Sequence, residues 1–179
     1  MNPLHRSSLA WTCLCLALVA LPISAVRAET CFHACFNGKK LPTDVTDQQM
    51  RETMQNCRDA CEKVERQKLI GEGLGPLLKS CIPEQISDAE LKKIRSASSS
   101  VVAFANAFTW DVNNVLTDKI IRRVELTTQT MSLADIDLSS AGYVEPGQVG
   151  TFYMGSIADG YPAARVMTRI KAVYACKNH

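Results

Sequence analysis

Hydrophobic and polar positions recur with two different periods along this chain of 179 residues. Up to about residue 70 the apolar side chains recur every three or four positions, and beyond about residue 100 they recur at every second position. The first period is typical of a helix with one buried face, and the second of a strand with one buried face. The pattern therefore predicts an α+β fold. An antiparallel helical hairpin (29–70) is followed by a linker with a short helix (71–100) and by a small antiparallel β-sandwich (101–179).

The longest helical pattern covers residues 48–69. Its apolar residues are spaced four, three, four and three positions apart and form one narrow stripe: Met50, Met54, Cys57, Cys61 and Val64. A shorter helix is predicted over residues 30–36, because Asn37-Gly38 is a typical C-terminal stop. Two helices with such stripes bury their apolar side chains by packing against each other or against a sheet.

Glycine and proline separate the helical part from the rest of the chain. The segment 71–76, Gly-Glu-Gly-Leu-Gly-Pro, predicts a hinge or linker, because alternating glycines disfavour a helix. Ser87 followed by Glu90 is a capping box, which predicts the start of a short helix that ends near Ile94. Residues 96–100 are then either a brief linker or the frayed start of a strand.

Strands are predicted over residues 101–112 with a bend near Asn106, and over residues 120–128, 150–155 and 164–174. Phe104, Phe108 and Trp110 have even spacing, so they share one face if the first strand is regular. That face is expected to lie in the core of the β domain. The alternative is an exposed aromatic platform, which makes Trp110 a candidate binding residue.

The first 28 residues predict a cleavable signal peptide. Arg6 precedes an apolar run (9–23) that is shorter than the ~20 residues of a membrane span. Val26 and Ala28 then place small residues at positions −3 and −1 of a signal peptidase site. We therefore expect export to the periplasm or the extracellular space, with no stable membrane span after cleavage. The alternative is an uncleaved membrane anchor.

Cleavage would leave a neutral protein. The chain has 20 Lys and Arg residues, and removal of Arg6 and Arg27 leaves as many as its 18 Asp and Glu residues. A neutral chain has no overall electrostatic attraction to nucleic acid or to an anionic membrane. We therefore expect no nucleic-acid partner.

The cysteines beyond residue 28 predict three disulfides, because an even number in an exported chain favours full pairing. They form two pairs with a spacing of four and two single residues: Cys31 and Cys35, Cys57 and Cys61, Cys81 and Cys176. Residues with a spacing of four lie on one helix face. Two antiparallel helices would therefore join Cys31 to Cys61 and Cys35 to Cys57, which leaves Cys81 for Cys176.

This register places Met50 and Met54 beyond the end of the shorter helix. Their side chains must then be covered by the connecting loop or by the β domain, since soluble proteins seldom expose large apolar patches. If neither covers them, the two methionines form a binding surface. We therefore name Met50, Met54 and Trp110 as the candidate binding surface.

Two stretches resemble known families. The Cx3C…Cx3C pattern resembles disulfide helical hairpins of the α-hairpinin type and, more loosely, the twin-cysteine hairpins of the mitochondrial intermembrane space. The stretch from Phe-Thr-Trp-Asp-Val-Asn-Asn (108–114) through Lys-Ile-Ile-Arg-Arg-Val-Glu-Leu (119–126) to Val-Glu-Pro-Gly-Gln-Val-Gly-Thr-Phe (144–152) resembles bacterial Ig-like sandwiches of the FxLYD type. The second resemblance implies a binding or structural module rather than an enzyme.

Residues that carry chemistry are few. The histidines beyond residue 28 are His33, which helical geometry turns away from the cysteines, and His179. Neither is a good candidate for a Ser–His–Asp site. The sequence has no CxxC, no CxxCH and no phosphate-binding glycine loop. We therefore predict no catalytic residue, no metal and no cofactor.

The expected function is that of a non-enzymatic exported protein with a structural or protein-binding role. One alternative is an exported inhibitor or effector that acts through the helical hairpin. A second alternative is a thiol or metal protein, because four thiolates could hold zinc.

Overall fold

A computed structural model describes residues 29–129, 134–155 and 164–178, with side chains in the last segment from Thr168 onwards. The predicted signal peptide lies outside these residues. The helices are α1 (Cys31–Asn37), α2 (Asp47–Leu69), α3 (Gly75–Ser80) and α4 (Asp88–Ala97), and a π-helical turn (Ile70–Leu74) joins α2 to α3. The strands are β1 (Glu84–Gln85), β2 (Val102–Phe104), β3 (Ala107–Asn113), β4 (Lys119–Gln129), β5 (Asp135–Val144), β6 (Val149–Met154) and β7 (Ala164–Lys177). The predicted α+β fold is confirmed.

The helices begin where the sequence supplies capping side chains. The Thr30 hydroxyl accepts a hydrogen bond from the backbone N–H of His33 at the start of α1. Capping boxes start α2, through Thr46 and Gln49, and α4, through Ser87 and Glu90. These side chains bind backbone N–H groups that have no partner within the helix, so they fix the point at which each helix begins.

The helical chain breaks within the predicted hinge at residues 71–76, because Gly73 has non-helical backbone angles and separates α2 from α3 by a kink. Gly73 adopts a φ of 87°, which is open to glycine, and the π-helical turn forms around it. Pro76 then lies in the first turn of α3, where a residue without a backbone N–H is tolerated.

The strands form two antiparallel sheets that face each other across one core. The four-stranded sheet has the order β1-β7-β4-β5, and the three-stranded sheet has the order β2-β3-β6. Both sheets contribute large buried side chains to the core, among them Phe108, Trp110, Val124, Phe152 and Val173. Ile94 of α4 packs into the same core.

The predicted strand over residues 101–112 is two strands. Ala105 and Asn106 have φ values of 50° and 58°, so they form the tight turn of a β2–β3 hairpin. Phe104 is consequently half exposed on β2, whereas Phe108 and Trp110 are buried on β3. The condition for a shared face, a regular strand, is therefore not met, and the expected core position is confirmed for Phe108 and Trp110 but not for Phe104.

Three disulfides connect the described elements. The structure joins Cys31 to Cys61 and Cys35 to Cys57 between α1 and α2, with Cα–Cα distances of 5.8 and 5.6 Å. These are the pairs that the antiparallel register predicts. A third bond joins Cys81, directly after α3, to Cys176 at the end of β7. The three bonds are compatible with an oxidising, exported environment.

Candidate functional site: a cleft between the helical hairpin and the sheets

The candidate binding surface named from the sequence is largely buried. Trp110 has no exposed surface, and its indole N–H donates a hydrogen bond to the Ser99 carbonyl at 3.1 Å. Met54 is 3% exposed, and Met50 is partly buried against the same apolar cluster. The assignment of a binding surface is therefore wrong for Trp110 and Met54, and Met50 contributes mainly to packing.

These methionines are covered because the hairpin packs on the outer face of the three-stranded sheet. Phe32 of α1 and Met54 of α2 form an apolar cluster with Ala107 of β3 and Tyr153 of β6. The rings of Phe32 and Tyr153 stack with centroids 6.2 Å apart. The Tyr153 hydroxyl also donates a hydrogen bond to the Arg51 carbonyl of α2. The β domain thus covers the end of α2 that extends beyond α1.

A polar network beside this cluster also links α1 to the three-stranded sheet. His33 Nε2 lies 2.9 and 3.1 Å from the two carboxylate oxygens of Asp111 on β3. The Thr151 hydroxyl donates to Asp111 at 2.7 Å and contacts the Thr30 hydroxyl at 2.6 Å. The Thr30 and Thr151 hydroxyls therefore contact each other or the Asp111 carboxylate, and neither contacts the His33 imidazole. This geometry anchors the hairpin, and it lacks the nucleophile–base contact that a Ser–His–Asp site requires.

Sequence reasoning missed this network because its members come from three distant segments. His33 and Asp111 are 78 positions apart in the chain. A single histidine and a single aspartate at that separation give no local pattern that would pair them. The only available signal was that His33 lies off the cysteine face of α1, which leaves its side chain free for another contact.

A cleft of about 110 Å³ lies between α2 and the turn that connects β5 to β6. We call it the junction cleft. Charged side chains of α2 form one wall, and the end of β5 with the start of β6 forms the other. The residues that matter for its chemistry are Arg58, Glu62, Glu65, Lys68, Tyr143 and Glu145.

The sheet wall is shaped by the β5–β6 turn. Pro146 and Gly147 lie at its centre, Gly147 has a φ of 74°, and the N–H of Gln148 donates to the Glu145 carbonyl at 3.1 Å. This is the sequence and geometry of a type II turn. The buried Asn114 side chain supports it by donating to the Val144 carbonyl at 2.8 Å. The turn therefore holds Glu145 in a fixed position at the cleft.

The helix wall is held in place at both ends of the cleft. Arg58 Nη2 donates to the Ala141 carbonyl of β5 at 3.2 Å, and Lys68 Nζ donates to Glu145 Oε2 at 2.7 Å. These contacts are separated by ten residues of α2, which is roughly 15 Å along the helix axis. Strand β5 lies at the edge of its sheet and has no neighbouring strand on one side. Arg58 therefore supplies a hydrogen-bond donor to a backbone carbonyl of an edge strand.

The lining of the cleft contains more carboxylates than cationic groups. Glu62, Glu65 and Glu145 line it together with only two cations, Arg58 and Lys68. Arg58 pairs with Glu62 at 3.0 Å and also with Asp59, which lies outside the cleft. The hydrogen bond from Lys68 to Glu145 raises the pKa of Lys68 above its usual value, and the nearby Glu72 and Glu65 carboxylates act in the same direction. Lys68 therefore stays protonated at neutral pH.

Two buried polar atoms of this cleft have no hydrogen-bond partner within residues 29–129, 134–155 and 164–178. They are Arg58 Nε on the helix wall and Glu145 Oε1 on the sheet wall. A buried donor or acceptor without a partner costs roughly 1–3 kcal/mol. In folded proteins such atoms usually bind water or another molecule. Both atoms have almost no accessible surface, so they lie beneath the walls of the cleft and not on its open surface.

The rest of the described structure gives no sign of metal chemistry. In the part of the chain that the structure describes, no three His, Cys, Asp or Glu side chains are grouped so as to hold a metal ion. The four cysteines of the hairpin, which could have been zinc ligands, form two disulfides instead. No helix among the described residues is both long enough and apolar enough to cross a membrane.

Comparison with known protein families, with curated proteins and with solved structures finds no match to this chain. The resemblance to disulfide helical hairpins is therefore limited to what the structure shows, which is two helices joined by the Cx3C cysteines. No related protein supports the resemblance to Ig-like sandwiches. The structure shows only that the β domain consists of two antiparallel sheets.

Proposed function

We propose that this is a non-enzymatic exported protein that binds another protein through the junction cleft. The observation that carries the proposal is a preformed cleft of about 110 Å³ whose two walls carry five charged side chains, Arg58, Glu62, Glu65, Lys68 and Glu145. Charged side chains at such a position select a partner by complementary charge and by hydrogen bonds to its polar groups. The proposed compartment is the periplasm or the extracellular space.

The rigidity of the surrounding structure favours recognition over catalysis. Two disulfides join the two helices of the hairpin to each other. The Phe32–Met54–Ala107–Tyr153 cluster and the His33–Asp111 contact fix the hairpin on the sheet. The walls of the cleft are therefore preformed, and this protein would lose little conformational entropy when a partner binds. The polar side chains that line the cleft carry guanidinium, ammonium, carboxylate, amide and hydroxyl groups, which can form hydrogen bonds and ion pairs with a partner.

The proposal predicts that a bulky side chain in the cleft abolishes partner binding. In Glu65→Trp the indole would occupy the space that the partner uses, because Glu65 lines the cleft from α2. Glu52→Trp is the matched control, since Glu52 is exposed on the same helix and does not line the cleft. Cells that produce the protein are treated with a chemical crosslinker, and mass spectrometry quantifies the adducts.

We expect at least a tenfold loss of a specific adduct in Glu65→Trp, which corresponds to about 1.4 kcal/mol, and no change in Glu52→Trp. Equal adduct yields in both variants and the unmodified protein would contradict the proposal. Circular dichroism of the purified variants verifies that both retain the fold.

A further inference from the structure

We propose that the open edge of strand β2 binds an extended segment of a partner protein by strand addition, with an acidic residue of that segment close to Arg95 and Arg169. This surface shares no lining residue with the junction cleft, so the inference adds a second binding surface to the proposed function. It follows from the backbone of the edge, from a groove beside the edge, and from the charge of that groove.

The open edge is longer than β2 itself, because the segment before β2 also lies along β3. The Ser99 N–H donates to the Asp111 carbonyl at 3.2 Å. The Ser98 hydroxyl accepts from the Asn113 N–H at 2.9 Å. The edge therefore extends over residues 98–104, which is roughly 23 Å of extended chain. Among the described residues, no strand pairs with its other side.

The β2–β3 turn determines which backbone groups of the edge point outwards. Ala105 and Asn106 form a two-residue hairpin turn, so the pair that closes it, Phe104 with Ala107, is a hydrogen-bonded pair. Hydrogen-bonded and non-hydrogen-bonded pairs alternate along an antiparallel ladder, so Ala103 turns its N–H and C=O away from β3. An added strand would bind these two groups.

This edge lacks the features that usually protect an edge strand. Charged side chains, prolines and a very short length prevent edge strands from pairing with other chains. Strand β1 is only two residues long, and β5 carries Asp135 and Asp137. Residues 98–104 contain neither a charged residue nor a proline, and Val102 and Phe104 are 55% and 50% exposed. The edge is therefore suited to pairing with another strand.

A groove of about 430 Å³ lies between this edge and β7, and we call it the edge groove. Its volume is within the roughly 300–1,000 Å³ that is typical of ligand sites. Its apolar lining residues belong to the core or pack against it: Val101, Ala103, Phe108 and Ile170. Because side chains alternate in direction along a strand, a partner residue opposite Ala103 would place its side chain in this groove.

The charge of the edge groove favours an acidic partner segment. Its charged lining residues are Arg95 and Arg169, and no carboxylate of the described residues lines it. Arg169 Nη2 lies 2.9 Å from Asp135 Oδ2. The Arg95 guanidinium, near the end of α4, forms no hydrogen bond or ion pair with another residue that the structure describes. An Asp or Glu of the partner would supply the missing anion, whereas a basic segment would be repelled.

The inference is tested with a library of random eight-residue peptides, displayed on phage and panned against the exported, disulfide-bonded protein. We expect enriched peptides that have apolar residues at alternate positions and at least one Asp or Glu. The most enriched peptide, made synthetically, should shift the amide NMR signals of residues 99–104 and 168–170. No enrichment over uncoated beads, or shifts confined to other residues, would overturn the inference.

Matched variants test the backbone contact and the charge separately. Ala103→Pro removes the outward N–H, which edge strands tolerate, and should weaken binding of this peptide at least tenfold. Ala103→Gly keeps the N–H and should leave the affinity unchanged. Arg95→Glu should weaken binding at least threefold because it reverses the charge of the groove. Arg66→Glu makes the same change at an exposed position of α2 and should have no effect.

The variants also give the results that would contradict the inference. Equal affinities of Ala103→Pro and Ala103→Gly would show that no strand is added to β2, and equal losses in the two arginine variants would indicate only a response to net charge. Circular dichroism verifies the fold, and if Ala103→Pro does not fold, the arginine variants decide. Glu65→Trp should bind the peptide normally. A loss of binding in Glu65→Trp would place the peptide in the junction cleft instead, which overturns the inference but not the proposed function.

Discussion

At the scale of single residues, the local side-chain contacts were predictable and the long-range contacts were not. The capping box of Ser87 and Glu90 is visible in the sequence, because its members are three residues apart. Glu90 also accepts a hydrogen bond from Lys119 at 2.6 Å, and that contact joins α4 to β4 across 29 positions of the chain. A sequence pattern identifies the first contact because it is local, whereas the second depends on how the two elements pack.

The Glu90 contact predicts a specific pH dependence of stability. The hydrogen bond from Lys119, followed by the backbone N–H of Ser87, lowers the pKa of Glu90 from its usual 4.5 to about 2. The folded state thus favours the ionised form, so the stabilisation is complete above pH 4.5 and is lost as the pH falls from 4.5 to about 2. Glu90→Gln should therefore lower the free energy of unfolding at pH 7 by about 1–2 kcal/mol.

Urea denaturation at several pH values measures this effect. The difference between the unmodified protein and Glu90→Gln should shrink as the pH falls below 4.5 and nearly vanish at pH 2. Glu84→Gln on the exposed β1 strand serves as the control and should follow the unmodified protein. A difference that stays constant with pH would show that Glu90 contributes only through its uncharged contacts.

At the scale of elements, the cysteine spacing was the most informative feature of the sequence. Because Cys31 and Cys35 share one helix face and Cys57 and Cys61 share another, the antiparallel register follows from geometry. Other elements lacked such a signal. Strand β5 (Asp135–Val144) was not predicted, because Ser, Ala and Gly residues at its centre blur the alternation of apolar and polar side chains. The sequence predicts only a bend at the β2–β3 turn, because alanine rarely adopts the positive φ that Ala105 has there.

The packing of the hairpin on the sheet predicts unequal effects at the two methionines of α2. Met54 is 3% exposed in the cluster with Ala107 and Tyr153, so Met54→Ala should destabilise the protein by about 2–4 kcal/mol. Met50 is only partly buried against that cluster, and Met50→Ala should destabilise it by less than about 1.5 kcal/mol. Both values are measured by urea denaturation. Equal losses, or a larger loss at Met50, would contradict the described packing.

At the scale of the whole molecule, the fold places a charged helix beside the edges of two sheets. β5 and β6 each lie at an edge of their sheets, and a tight turn connects them. Edge strands carry backbone N–H and C=O groups that have no partner in a neighbouring strand. Arg58 and Lys68 of helix α2 contact this region, and the junction cleft remains open between α2 and the β5–β6 turn. The sequence could not predict the cleft, because it exists only after the hairpin has packed on the sheet. Its walls come from residues about 80 positions apart.

The most direct test of the central claim is to place a photo-reactive crosslinker at the rim of the cleft. Benzoylphenylalanine replaces Gln148, which lines the cleft from the β5–β6 turn, or Lys93, which is exposed on α4 and lies outside the cleft. After irradiation of cells that produce the full chain, we predict a discrete protein adduct from position 148 and none from position 93. Adducts of equal yield from both positions, or from position 93 alone, would contradict the account.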